Sequence, residues 1–204
     1  GATGQKVVSL LEGRGATCDF VWVDGETRIN VVVIDETAGT HSTVTTTMMT
    51  VAAEHRAALL DRVRGLMHGA SVLVTGGTLP HGVTPSFYAE IIEIARAASV
   101  PVIFDAAEPN LSAGLAAGPT IIKPNRDELS ALLGRPVRSV EEAYRAGRDL
   151  HERTGVIPVI TLGGEGGLAV LPDRAWRIPP IPVEVISPAG AGDAVLAGMA
   201  ASFE

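Results

Sequence analysis

From Val51 onward the sequence alternates short, almost wholly apolar runs with amphipathic ones, and this alternation limits the possible folds most. "SVLVTGG", "VPVIFDA" and "TIIKPN" are too short for helices and carry apolar residues at consecutive positions, as strands buried on both faces do. "VAAEHRAALLDRVRGLMHG", "TPSFYAEIIEIARAAS", "NLSAGLAAG", "RDELSALLG" and "SVEEAYRAGRDLHERTG" instead read as helices. Thr84 and Pro85 suit a helix entry, Gly134 a helix end, and Ser139 with Glu142 three residues later a capped start. "VIPVITLGG", "GLAVLP" and "WRIPPIPVEVI" add strands, and a last helix follows Gly190. Such alternation predicts an α/β fold: a mainly parallel sheet covered on both faces, in three layers.

The first fifty residues differ. Thr3–Glu12 reads as a short helix closed by Gly13 or Gly15. The segment 18–50 is rich in Val, Ile, Thr and Trp, with turn signals at "DG" and "TAGT". It predicts two or three strands, partly a hairpin, in a small sheet with one open face. Appended to a parallel sheet, such strands suit a small β lid.

Composition narrows the function classes. The 204 residues are 46% hydrophobic but only 4% aromatic, so Ala, Val, Leu and Ile must fill the core. A net charge of −7 argues against a nucleic-acid surface, which needs clustered cations. An anionic substrate stays open, because a few local Arg and Lys suffice to bind one. Cys18 is the only cysteine, so neither an internal disulfide nor a Cys-based zinc site is available, and a reduced cytoplasmic setting fits. No run of 18 apolar residues and no signal peptide is visible, so no membrane association is expected.

In a parallel sheet, ligands bind at the C-terminal ends of strands. Four loops there are unusual: "TGGTLPHG", "KPNRDE", "TLGGEGG" and "SPAGAGD". If Gly190, Ala191 and Gly192 open the last helix, their amides and the helix dipole form an anion site, with the Asp193 carboxylate beside it. That pairing suits phosphoryl transfer: amides hold developing charge while a carboxylate accepts a hydroxyl proton. The same residues serve equally for tight helix–sheet packing. Asn125 and Glu128, three apart at a helix start, are oxygen ligands suited to Mg²⁺ through water; taken alone, the pair reads more readily as a helix cap with a dipole-favoured Glu. "TLGGEGG" could approach a nucleotide or simply turn a hairpin. Arg28, in a Thr- and Val-rich strand, could clamp a phosphate or be a solvated edge charge. The histidines at 41, 55, 68, 81 and 151 form no metal-like pair. No GxSxG or GxxxxGK[ST] motif occurs, which removes two common hydrolase and nucleotidase readings.

Taken in order, "ETRIN", "TGGTLPHG", "KPNRDE", "TLGGEGG" and "GAGD" resemble the ribokinase-like, phosphofructokinase-B type carbohydrate kinases, in particular their 1-phosphofructokinase and tagatose-6-phosphate kinase branch. The resemblance covers essentially the whole chain. It implies a partial carbohydrate kinase domain over 1–204, with 18–50 supplying lid strands, that uses ATP and Mg²⁺. Fructose 1-phosphate would be converted to fructose 1,6-bisphosphate. Tagatose-6-phosphate or fructose-6-phosphate kinase activity, or a non-catalytic sugar-phosphate or nucleotide binder, are the alternatives. By the same resemblance Asp193 is the catalytic base, and Gly190, Ala191 and Gly192 are the anion hole. Asn125 and Glu128 organise Mg²⁺ and phosphates, while Lys123, Thr161, Gly163 and Gly166 contact the nucleotide. Arg28 grips the phosphate already on the sugar, and lid strands pairing between subunits give a homodimer.

Three departures from the family pattern stand out. Ser187 and Pro188 replace an Asp-Thr pair, which removes a carboxylate and an N–H. Ala106 and Ala107 replace small hydroxyl residues, and "TGGTLPHG" replaces "SGSLPPG". Family members also carry an N-terminal sugar-binding Asp with a Gly-rich stretch, and continue past the "GAGD" helix. The resemblance therefore implies that these residues are a fragment of a longer chain.

Overall fold

The computed structural model describes residues 1–35, 37, 40–46, 49–182 and 190–203. It divides into two compact units, Gly1–Arg62 with Leu79–Thr84, and Val63–Thr78 with Pro85–Glu204.

The first unit opens with helix α1 (Ala2–Glu12), capped at its C-terminus by Gly13. Its N-terminal amides are satisfied from a distance in sequence: the Glu26 carboxylate accepts from Ala2 N at 2.9 Å and Thr3 N at 3.0 Å. Strands β1 (Asn30–Asp35) and β2 (Thr40–Thr45) pair antiparallel, Asn30 opposite Thr45. Ile29 and Thr46 continue the pairing, since Thr46 N donates to Ile29 O at 3.0 Å and Ile29 N to Thr46 Oγ1 at 2.9 Å. Residues 16–29 form no strand. The expected one covered face is also not found: the consecutive residues Val31, Val32, Val33 and Ile34 are all exposed. Alternation would have buried one face, and "VVVI" does not alternate.

Helix α2 (Ala53–Leu66) runs from the first unit into the second. The second unit is an ordered succession of β3 (Leu73–Gly76), α3 (Ser86–Ala97), β4 (Val102–Asp105), α4 (Asn110–Ala116), β5 (Ile121–Ile122), α5 (Arg126–Leu133), α6 (Val140–Thr154), β6 (Ile157–Thr161), β7 (Gly167–Val170), β8 (Ala175–Ile178) and α7 (Ala191–Ala201). The six strands lie side by side in chain order. From β3 to β6 they are parallel; β7 and β8 are added antiparallel, as successive hairpins.

The period of two along each strand divides the core into two sides. Ile103, Ile121 and Val159 form a cluster that packs against Leu196, Met199 and Ala200 of α7 and against Phe203. Their neighbours face the other way: the Phe104 ring meets Tyr88 of α3 at a centroid distance of 5.1 Å and approaches Gly114 of α4. Ile160 and Val170 likewise meet Gly147 of α6. Helices therefore cover both faces, which gives the expected three layers. Phe104, Ile103, Ile122 and Ile160 are fully buried, each contributing about 1.5–3 kcal/mol of transfer free energy.

Local signals explain the helix ends. Asn125 and Glu128 form a reciprocal capping box at the start of α5, and Gly134 ends it in the left-handed conformation. At α6, Ser139 Oγ accepts from Glu142 N at 3.1 Å, but the Glu142 carboxylate reaches back to Arg138 N at 2.7 Å, one residue before the cap. Strand β8 stops before Pro179 and Pro180, whose missing N–H groups end the ladder. The remainder of that predicted strand, from Val183, lies outside the described residues.

Candidate active site

The C-terminal ends of β4 and β6 are joined by backbone bonds to the residues that follow β5. Lys123 N donates to Phe104 O at 3.1 Å, and Thr161 N to Pro124 O at 3.0 Å. This brings "KPNRDE" beside "TLGGEGG". Helix α7 starts next to both: Lys123 Nζ lies close to Gly192.

A cavity of about 580 Å³ results. Lys123 and Asn125 line one part of it, Thr161, Gly163 and Gly166 another, and Ala191 and Gly192 a third. Residues from three separate sequence motifs thus face one space. Gly190 is the N-cap of α7, in a left-handed conformation (φ 83°) that lets the chain turn into the helix. The first bond of α7, from Ala194 N to Gly190 O at 2.9 Å, leaves the preceding amides to face outward. Asp193 is in the same first turn.

The electrostatics centre on a buried cation. Lys123 is only 5% exposed, and its Nζ is 3.0 Å from Asp105 Oδ2. Burial raises the Asp105 carboxyl above its ordinary value; Lys123 pulls it back and the Asp193 charge raises it again. Glu128 is also raised, first by burial, with its bond from Asn125 N lowering it and the Asp105 charge raising it. Asp105, Asp193, Glu128 and Lys123 are therefore one electrostatic group.

Asn125 Oδ1 accepts from Glu128 N at 2.8 Å, and Glu128 Oε2 from Asn125 N at 2.8 Å. The pair is a helix cap, and Asn125 at the same time lines the cavity. Among the described residues no three His, Cys, Asp or Glu side chains form a ready metal cage. Mg²⁺ needs none when it keeps its waters and binds phosphate oxygens; of this pair Asn125 lines the cavity, and the Glu128 carboxylate is tied to it through the cap. The "TLGGEGG" loop is both a β6–β7 hairpin connection and a wall of the cavity. At Gly166 a Cβ would fall 2.0 Å from Ile178 O, so the loop needs glycine there to pass β8.

Arg28 lies in the first unit, just ahead of β1 rather than within a strand. His81 pairs with Thr50 in a short parallel bridge, and its carbonyl accepts from Val51 N at 2.9 Å. Ser187 and Pro188 lie outside the described residues. Two residues near the site went unread in the sequence. Asp105 closes the apolar run "VIFD", and a lone acid at the end of a buried parallel strand was the available signal. Arg126 lines the cavity and pairs with Glu165 of the "TLGGEGG" loop, a contact across 39 positions that no local pattern announces.

This fold, with a cavity at the C-terminal edge of a mainly parallel sheet, is that of the ribokinase-like α/β proteins. The chain belongs to the pfkB family of carbohydrate kinases, whose family pattern matches residues 1–204. It is 33% identical over 209 residues to the 1-phosphofructokinase of Haloferax volcanii, covering 100% of this chain and 64% of that protein. The 1-phosphofructokinase of Escherichia coli is 32% identical over 190 residues, covering 93% and 61%. Among solved structures, phosphofructokinase-2 from Escherichia coli in complex with substrates and products superposes with a TM-score of 0.89 at 30% identity, covering 99% of this chain and 66% of that one. The chain thus spans less than two thirds of the length of these 1-phosphofructokinases. Among the described residues no helix is long and apolar enough to cross a membrane.

Proposed function

We propose that the protein carrying these residues transfers the γ-phosphoryl group of ATP to a phosphorylated ketohexose, converting fructose 1-phosphate to fructose 1,6-bisphosphate. The observation that supports this best is the convergence of Lys123, Asn125, Thr161, Gly163, Gly166, Ala191 and Gly192 on one cavity. Asp193 takes the proton of the sugar hydroxyl as that oxygen bonds to the γ-phosphorus. The bond from phosphorus to the bridging oxygen breaks, and ADP leaves. The amides of Gly190, Ala191 and Gly192 hold the equatorial oxygens, and Lys123 contacts nucleotide phosphate. Asn125 and Glu128 would hold Mg²⁺ through water, and the ion would supply charge neutralisation to the phosphates. Arg28 grips the phosphate already on the sugar, and β1 and β2 belong to a lid over it. The consecutive exposed residues Val31–Ile34 also suit pairing of these strands between two copies. The setting is the cytoplasm, where ATP and sugar phosphates occur.

A second substrate, fructose 6-phosphate, is favoured by the likeness to phosphofructokinase-2 from Escherichia coli, one of whose structures is a complex with that sugar phosphate (TM-score 0.84, 27% identity). ADP release by the full chain, measured against fructose 1-phosphate, fructose 6-phosphate, tagatose 6-phosphate and neutral sugars, separates the readings. Asp193→Ala is expected to lower turnover by about two to four powers of ten, the range for a general base, with nucleotide affinity nearly intact. Full turnover in that variant removes Asp193 from the mechanism. Ligand-induced gains in melting temperature without turnover on any sugar point to a non-catalytic binder.

A further inference from the structure

Gly192 lies inside a helix turn, so no left-handed dihedral explains it. Space does. A Cβ on Gly192 would stand 3.2 Å from Lys123 Nζ and 3.7 Å from Lys123 Cε. The ammonium is buried and paired to Asp105 Oδ2 at 3.0 Å, so it is not free to swing aside. Asp105 is in turn fixed from behind. Its carbonyl oxygen accepts from Gly77 N at 2.7 Å, and a Cβ on Gly76 would fall 1.8 Å from that oxygen. Tyr88 of α3 holds the same loop, donating from its hydroxyl to Gly77 O at 3.0 Å. A continuous series of contacts therefore runs from α3 through Gly77, Asp105 and Lys123 to the first turn of α7.

We propose that Asp105 is a positioning residue that holds the Lys123 ammonium against the first turn of α7, adding a fixed cation to the amide cradle, and that residue 192 is glycine to admit it. The ammonium has three donors, of which Asp105 engages one side, and Lys123 also lines the cavity. A cation fixed before the anion arrives loses no reorganisation energy on binding. The inference rests on the phosphoryl-transfer reading only for what the anion is.

The test is a set of double-mutant cycles in the full chain, with affinity for inorganic pyrophosphate and for ATP read by calorimetry. Gly192→Ala is expected to weaken pyrophosphate about tenfold when Lys123 is present, a coupling within the range for residues in contact. In the Lys123→Ala background the same change costs less than about twofold, because Cε and Nζ are gone. Asp105→Asn weakens pyrophosphate about as much as Lys123→Ala, and combining the two adds little. Asp105→Glu, which keeps the charge, recovers part of the affinity; a merely structural Asp105 would show a lower melting temperature without this selective rescue. Losses that multiply across the Gly192–Lys123 pair overturn the proposal, as does absence of pyrophosphate binding by the unaltered chain. Sugar-stimulated ADP release by the unaltered chain is scored separately. A chain that shows coupled binding losses and no turnover defeats the kinase reading and leaves this one standing.

Discussion

Lys123 Nζ and Asp105 Oδ2 lie 3.0 Å apart because the two residues leave neighbouring parallel strands at the same edge of the sheet. A buried ammonium without a counter-charge is costly, and so is a carboxylate stripped of its cation. Lys123→Met is expected to destabilise the protein by about 3 kcal/mol at neutral pH, near the low end for a broken buried pair because Asp105 keeps some exposure. Urea midpoints at pH 7.5 and pH 4.5 check this. The loss shrinks at the lower pH, where Asp105, no longer pulled down by Lys123, takes up a proton.

Glu128 allows a cleaner linkage test. Its folded-state pKa is raised above 4.5, mainly by burial. Below the unfolded value the group is neutral in both states; between the unfolded and the raised folded value the unfolded chain has lost the proton that the folded state still holds, so folding takes up a proton and stability is lost as pH rises through this window. Glu128→Gln keeps an acceptor for Asn125 N and does not titrate. Its stability relative to the unaltered protein therefore increases from pH 4 to pH 7.5 in metal-free buffer. A difference that stays constant across this range would refute the assignment.

Gly114 packs closely against the Phe104 ring: a Cβ there would lie 2.2 Å from Cε1 of a fully buried side chain. Gly114→Ala is expected to cost about 1–3 kcal/mol through overpacking, even though alanine favours the helix by about 1 kcal/mol. Chemical denaturation measures it, and Phe104→Leu should relieve part of the cost.

Arg28 carries the substrate-phosphate assignment. Arg28→Ala is expected to lower kcat/KM for fructose 1-phosphate roughly tenfold to a hundredfold, the value of a lost hydrogen bond to a charged group. Neutral sugars should lose far less, and equal losses on both would count against a phosphate clamp.

The sheet was legible because buried parallel strands write themselves as short apolar runs. "VIFD" and "IPVIT" required no partner to be recognised, and Asn125, Gly134 and Ser139 marked helix ends through bonds only a few residues long. The hairpin was harder. Its strands were visible in β-branched residues, but which face is covered depends on neighbours, and Val31–Ile34 remain exposed. Arg28 fell just outside its strand because strand ends depend on pairing with Thr46 rather than on composition.

By itself the sequence determined the alternation of elements, the helix caps and the motifs that face the cavity, because each of these is coded within a few residues. Only the tertiary structure decided that Asp105 pairs with Lys123, that Arg126 meets Glu165, and that Gly192 is small to admit an ammonium. Those contacts join residues far apart along the chain. Their strength comes from burial and charge at the shared edge of the sheet, which exist only once the strands lie side by side.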